Sequence, residues 1–150
     1  MPQTPLLCSW KTFAKAPQTY HNTPCCWAIY VMGLNLKYMK EKGFDKIKQE
    51  AKDRADLLYS TIENSGGYYT NPVAKPFRSR MNVPFRVCKD EALEKKFIEE
   101  ATKKSFLELS GHRSVGGCRA SIYNAMPIEG VKALTDFMKE FQSKNPQAKL

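Results

Sequence analysis

An α+β fold, with antiparallel strands in one sheet and helices packed on one face of it, follows from three observations on the sequence. Apolar residues recur at helical spacing in three segments: Ile47, Ala51, Ala55, Leu58 and Ile62; Leu93, Phe97, Ile98 and Ala101; and Val131, Leu134, Met138 and Phe141. Between the first two, Met81, Val83, Phe85 and Val87 alternate with Asn82, Pro84 and Arg86, the period of a strand with one buried face. The connections between these segments are short and no internal repeat is present, so the strands and helices form layers around one core. A chain of 150 residues is long enough for that core.

Taken in order, residues 1–9 carry Pro2 and Pro5 without periodicity and predict an irregular leader, and residues 10–144 form the domain. Residues 10–20 read as a loop or short strand. Thr23-Pro24 reads as a helix start, with Thr23 as N-cap and Pro24 at the first helical position, where a missing N–H costs nothing. The helix that follows places Ile29, Met32, Gly33 and Leu36 on one face and ends near Gly43. A second helix spans about 45–64, and Asn64-Ser65-Gly66-Gly67 stops it. Tyr68-Tyr69-Thr70 begins a short strand, residues 72–76 form a loop, and the 81–87 strand follows, with Pro84 placing it at a sheet edge or a bulge. Asp90 caps a third helix running to about Ser105, Phe106-Leu107-Glu108-Leu109 reads as a strand, and Pro127 starts the last helix. Residues 145–150 are polar and predict a frayed tail.

The net charge of +9 admits nucleic acid, an anionic surface or a small anionic substrate as partner. The lysines, however, are interspersed with acidic residues on helical segments, the pattern of a solvated face, and no basic run alternates with aromatic residues to make a stacking platform. No apolar run reaches the roughly 18 residues of a membrane span, and the first ten residues lack the charged-then-apolar pattern of a signal peptide. These features predict a cytoplasmic protein with no nucleic acid and no membrane as partner. The five cysteines are odd in number, include the adjacent pair Cys25-Cys26 and show no CxxC spacing, so reduced thiols are expected. His21 and His112 lie far apart and no cluster has metal-ligand spacing, so no metal site is expected.

The most informative stretch is 111–124, GHRSVGGCRASIYN, which holds His112, Arg113, Arg119 and three glycines. Glycines let the backbone turn tightly and approach a ligand, and arginine forks suit carboxylate and phosphate oxygens, so the composition is that of an anion site. The same composition suits a glycine-rich loop with solvated arginines, in which Arg119 forms a strand-surface ion pair and His112 bonds to backbone.

The string GHRSVGG, an arginine two residues later and ASIYNA resemble the C-terminal segment of the phosphoserine aminotransferases, pyridoxal-phosphate enzymes of the class-V, fold-type-I group. Asn22-Thr23-Pro24, residues 29–34, residues 78–86, residues 93–97 and residues 127–131 resemble the same family in the same order, so the likeness covers roughly residues 10–142. It implies the small C-terminal domain of a fold-type-I transferase, and it implies the conversion of 3-phosphohydroxypyruvate and glutamate to phosphoserine and 2-oxoglutarate in serine biosynthesis. Pyridoxal 5'-phosphate is the implied cofactor, with small anionic amino-acid and keto-acid substrates, and with a large domain and a second subunit of a homodimer as partners. By the same resemblance Asn22 and Thr23 bind the cofactor phosphate held mainly by the neighbouring subunit, Arg119 grips the substrate α-carboxylate, and His112 and Arg113 recognise its distal phosphate or carboxylate. His21 stands where the family usually has tyrosine, and Cys25 where it often has a second proline.

Transamination also needs a Schiff-base lysine and an acid on the pyridine nitrogen. In the family both lie upstream of the matching region, and no lysine here sits in a segment resembling that motif. The resemblance therefore implies a chain that does not turn over alone, with a non-catalytic fragment that keeps the dimer-facing and anion-binding surface as the alternative.

Overall fold

The computed structural model of the chain describes residues 4, 5, 8–15 and 20–146. The chain forms two compact units, Met1–Lys42 and Gly43–Leu150.

In the first unit, α1 spans Trp10–Ala14 and α2 spans Cys26–Lys42. The expected loop or strand over 10–20 is thus replaced at its start by a single helical turn, which the absence of glycine and proline from residues 10–16 permits. Residues 16–19 lie outside the described residues, as do 1–3 and 6–7 of the expected leader. The helix α2 begins two residues later than Thr23-Pro24 suggested. Its first backbone bond runs from the Ile29 N–H to the Cys25 carbonyl at 3.1 Å, so Cys25, not Thr23, is the cap. A proline fits an extended lead-in as well as a first helical position, and here it takes the former role. None of the α2 side chains is buried, so the expected inward face of Ile29, Met32, Gly33 and Leu36 has no core beneath it.

The second unit is the α+β layer the periodicities predict. It runs α3 (Phe44–Glu63), β1 (Tyr69–Thr70), a 3₁₀ turn (Lys75–Phe77), β2 (Asn82–Val87), α4 (Glu91–Lys103), β3 (Cys118–Ser121) and α5 (Ile128–Lys144). The sheet order is β1-β2-β3 with both pairings antiparallel. Alternation works as expected along β2, where Val83, Phe85 and Val87 are buried and Asn82, Pro84 and Arg86 face the other way. Phe97 of α4 occupies the middle of the core, with ring centroids 5.7 Å from Phe85, 6.0 Å from Tyr69 and 5.0 Å from Phe141, all edge-to-face. The buried Tyr69 hydroxyl donates to the Met138 carbonyl at 2.8 Å, tying β1 to α5.

Two strand expectations need correction. Proline was expected to put β2 at an edge or a bulge, yet β2 is the central strand and its register with β3 runs unbroken through Pro84. The register explains how it is tolerated: Ile122 N–H bonds Met81 O, so Pro84 and Arg119 form a pair without mutual hydrogen bonds, and the Pro84 nitrogen faces the β1 side. There β1 covers only Arg86 and Val87, so β2 is locally an edge at Pro84, and the Asn71 side-chain amide takes the Pro84 carbonyl at 2.6 Å. The expected strand at 106–109 is not formed. Ser105 and Glu108 adopt positive φ, Phe106 turns in to stack on Phe137 with centroids 5.5 Å apart, and only Ser110 bridges to the sheet. The third helix is capped as predicted, with Asp90 Oδ1 accepting from the N–H of Ala92 (2.8 Å) and Leu93 (3.3 Å). The α5 helix buries Val131, Leu134, Met138 and Phe141 as expected and ends at Lys144; the last residues of the expected tail, 147–150, lie outside the described residues.

Candidate functional site

The stretch singled out by sequence folds as a hairpin on the edge of the sheet. Three bonds set its register: Arg119 N–H to Leu109 O (2.8 Å), the Ser110–Cys118 bridge, and Gly111 N–H to Gly117 O (2.9 Å). The five residues 112–116 are the loop, closed by the N–H groups of Val115 and Gly116, which both donate to the His112 carbonyl at 2.8 Å. His112 and Arg113 therefore sit on the loop, and Arg119 sits on the leg that becomes β3. Glycine is required where the two legs meet. A Cβ on Gly111 would lie 2.0 Å from the Gly116 carbonyl oxygen, and Gly117 combines a φ of +71° with backbone and side chain of β2 within 3 Å of any added Cβ. Composition had suggested a glycine loop and alternation a strand at 106–109 leading into it; the leg that pairs is instead Leu109 to Gly111.

Strand alternation fixes which way Arg119 points. Its β2 partner is Pro84, so it lies on the face of the sheet opposite the buried Val83, Phe85 and Ala120, with Asn82, Arg86 and Ser121. Asn82 Oδ1 accepts there from the Ser121 hydroxyl at 3.3 Å and the Tyr123 hydroxyl at 3.2 Å. Sequence reasoning passed over these three polar neighbours of Arg119; the period-2 pattern of 81–87 was the signal for Asn82. The expected alternative, a strand-surface ion pair, is not what the structure contains: among the described residues no carboxylate reaches Arg119, and its Nε is buried without a hydrogen-bond partner. A buried, unsatisfied donor on a cation is costly unless something else satisfies it. His112 is exposed, and its Nδ1 accepts from the Ser114 N–H (3.3 Å) and lies 2.7 Å from the Ser114 hydroxyl. That places the proton of the neutral ring on Nε2. Arg113 is exposed.

The other pair named from sequence lies in the first unit. Asn22 and Thr23 are exposed in the lead-in to α2, and neither side chain has a hydrogen-bond partner among the described residues. The first turn of α2 carries no acidic residue, and its opening N–H groups precede the first intrahelical bond at Ile29. Amide and hydroxyl donors beside the positive end of a 17-residue helix are the donor set a phosphate takes. His21, one of the two departures from the family pattern, packs edge-on against Phe13 with centroids 5.5 Å apart.

The model of one family, Aminotransferase class-V, matches residues 1–134, which include the sheet and the arginine-bearing glycine hairpin; the chain belongs to this family. Curated relatives in it include phosphoserine aminotransferases. The one from Laribacter hongkongensis is 51% identical over 142 residues, covering 94% of this chain and 39% of its own length, and phosphoserine aminotransferase 1, chloroplastic, of Arabidopsis thaliana is 48% identical over 95% of this chain and 33% of its own. Among solved structures, the phosphoserine aminotransferase from Bacillus circulans subsp. alkalophilus superposes with a TM-score of 0.85 at 39% identity over 94% of this chain and 39% of that one. The PLP-bound phosphoserine aminotransferase from Trichomonas vaginalis gives 0.80 at 36% identity over 93% of this chain and 39% of that one. The chain thus spans about two fifths or less of the length of the relatives it matches.

Proposed function

We propose that this chain supplies the substrate-recognition portion of a phosphoserine aminotransferase, acting on phosphoserine, glutamate and the corresponding keto acids. The observation that carries the reading is Arg119: a guanidinium with a buried, unpartnered Nε and no carboxylate of its own, on the strand that continues from the glycine hairpin. In this reading the Arg119 fork takes the α-carboxylate through two parallel N–H bonds, which lysine cannot offer. His112 and Arg113, on the hairpin loop, take the distal phosphate or carboxylate, with Ser114 fixing the imidazole so that Nε2–H faces the ligand as a donor. Asn22 and Thr23, with the first N–H groups of α2, hold the phosphate of pyridoxal 5'-phosphate; their donors fit it, while His21 in place of tyrosine alters the approach. When bound, that group supplies the electron sink that makes a substrate Cα proton removable. The protein that works in this way is cytoplasmic, in keeping with its five unpaired thiols, and pairs as a homodimer.

The relatives' additional length and the absence here of a lysine segment like the family's lead to a second reading: alone, this chain binds anionic ligands without turnover. Joining it to the part of the Laribacter hongkongensis relative that it does not match, and assaying 3-phosphohydroxypyruvate with glutamate, tests the assignment. Activity that falls at least about a hundredfold on Arg119→Ala is expected, the scale of losing one side of a buried charged contact. An active fusion indifferent to that change would overturn the assignment. For the unjoined chain, borohydride treatment in the presence of pyridoxal phosphate should label no single lysine stoichiometrically.

A further inference from the structure

We propose that Arg86 is a positioning residue for the hairpin that bears His112 and Arg113, locked in that task by Glu94. The proposal rests on the anion-site reading for its purpose and on β2–α4 geometry for its mechanism.

Arg86 stands on β2 one residue beyond the Phe85–Cys118 pair, where β3 has ended and the hairpin turns away. Gly117 packs against it at that point. A Cβ on Gly117 would lie 2.6 Å from Arg86 Cδ, 3.1 Å from Arg86 Nε and 2.9 Å from the Phe85 carbonyl oxygen, and one on Gly116 would lie 3.9 Å from Arg86 Nη1. The glycine turn is therefore seated on the arginine stem, and its height above the sheet is set by that side chain. An arginine alone makes a poor floor because it has four rotatable bonds. This one is fixed at Nε by Glu94 Oε1 at 2.5 Å. The Glu94 side chain is only 5% exposed, and the same oxygen accepts the Val87 N–H at 3.2 Å, so the carboxylate is bonded both to the arginine and to the strand that carries it. Glu94 in turn is placed by the first turn of α4, whose N–H groups Asp90 caps. The chain of support runs from the α4 cap through Glu94 and Arg86 to Gly117, and thence to the loop residues that meet the ligand. The loop's internal bonds fix its shape, while this pair fixes where that shape sits. The Arg86–Glu94 pair is spent on neither of the ligand contacts proposed above, and the sequence assigns neither residue a role of its own.

The test uses the whole chain and amide hydrogen exchange, with O-phosphoserine titration beside it. Arg86→Lys removes the rigid Nε–carboxylate bond, Glu94→Gln removes the charge while keeping the shape, and Gly117→Ala drives a Cβ against the Arg86 stem and so lifts the turn off its seat with both charged groups still present. Each should speed exchange of the Gly111 and Gly116 amides at least tenfold, with the α5 amides from Val131 to Phe141 within threefold of wild type. Each should also weaken O-phosphoserine binding about tenfold. Loop amides unchanged in the Arg86 and Glu94 variants, or exchange raised equally across α5, would overturn the strut. A wild-type chain that fails to bind O-phosphoserine, with the exchange pattern as expected, overturns the anion-site reading and upholds the strut.

Discussion

At the scale of single residues, Arg119 and Cys118 show how neighbours on one short strand take opposite fates. Arg119 points away from the core and has no carboxylate partner among the described residues, whereas Cys118 points into the core, where burial, reinforced by the Glu94 charge, pushes its thiol up to about 12. Thiolate is the reactive form, so Cys118 should resist iodoacetamide in the native chain while exposed Cys8, Cys25 and Cys26 react, and unfolding should abolish the difference. Mass-resolved labelling checks this; rapid native modification at Cys118 would contradict its burial. For Arg119, replacement by lysine keeps the charge and loses the fork. In the fused enzyme it should lower kcat/KM for both phosphoserine and glutamate by about ten- to a hundredfold, mainly through KM, because both carry the α-carboxylate. Equal kinetics for the two enzymes would return Arg119 to a surface role. The arginine was legible from its place in the string GHRSVGGCRASIYN; the unpaired state that makes it useful was not, since pairing depends on which residues lie across the sheet.

At the scale of elements, long amphipathic segments were legible and short or irregular ones were not. The stripes of α3, α4 and α5 lie where periodicity puts them because burial of one face decides a helix of three turns or more. The 106–109 segment misled because its apolar residues alternate, yet Phe106 is drawn to Phe137 by packing and positive φ at Ser105 and Glu108 breaks the extended run. Pairing between helices is where pH enters. Glu140 of α5 accepts from Lys104, just past α4, at 2.5 Å and from Lys144 at 2.6 Å, and these bonds hold its carboxyl down to about 2 against an ordinary 4.5. A lowered folded-state value means that the contribution is present above pH 4.5 and is lost as pH falls towards 2. Glu140 is exposed enough for solvent to screen the interaction, so the effect is modest. The melting temperature of wild type should exceed that of Glu140→Gln above pH 4.5, and the two should converge near pH 2. A difference that persists unchanged through that window would assign the effect to something other than this carboxylate.

At the scale of the whole molecule, α2 is the element whose surface does not match its surroundings. Trp27 is 73% exposed, Tyr30 61%, Met32 56% and Leu36 56%, and at 100° per residue these side chains fall around the helix rather than along one stripe. Helices apolar all round are interior helices, and an exposed patch of this extent marks a contact. The sequence showed the apolar residues and their spacing, but periodicity states only that a face wants cover and is silent on what provides it. The chain spans 39% of the Laribacter hongkongensis relative, and the expectation put to the test is that polypeptide from the unmatched part covers this helix. The chain alone should therefore bind a hydrophobic dye and self-associate as its concentration rises. Adding the unmatched part of the Laribacter hongkongensis relative as a separate polypeptide should suppress both, shift Trp27 emission to the blue and protect Cys26 at the start of α2 from alkylation. Trp10, 88% exposed as well, is replaced by phenylalanine so that the fluorescence reports Trp27. Trp27→Glu with Leu34→Glu should abolish complementation while leaving the α3–α5 core intact, because charge placed on α2 opposes docking and the core cluster is built from Ala55 to Phe141. If the double variant still complements, or if Trp27 emission is unmoved in a complex that forms, the added polypeptide docks elsewhere and the apolar surface of α2 serves another contact.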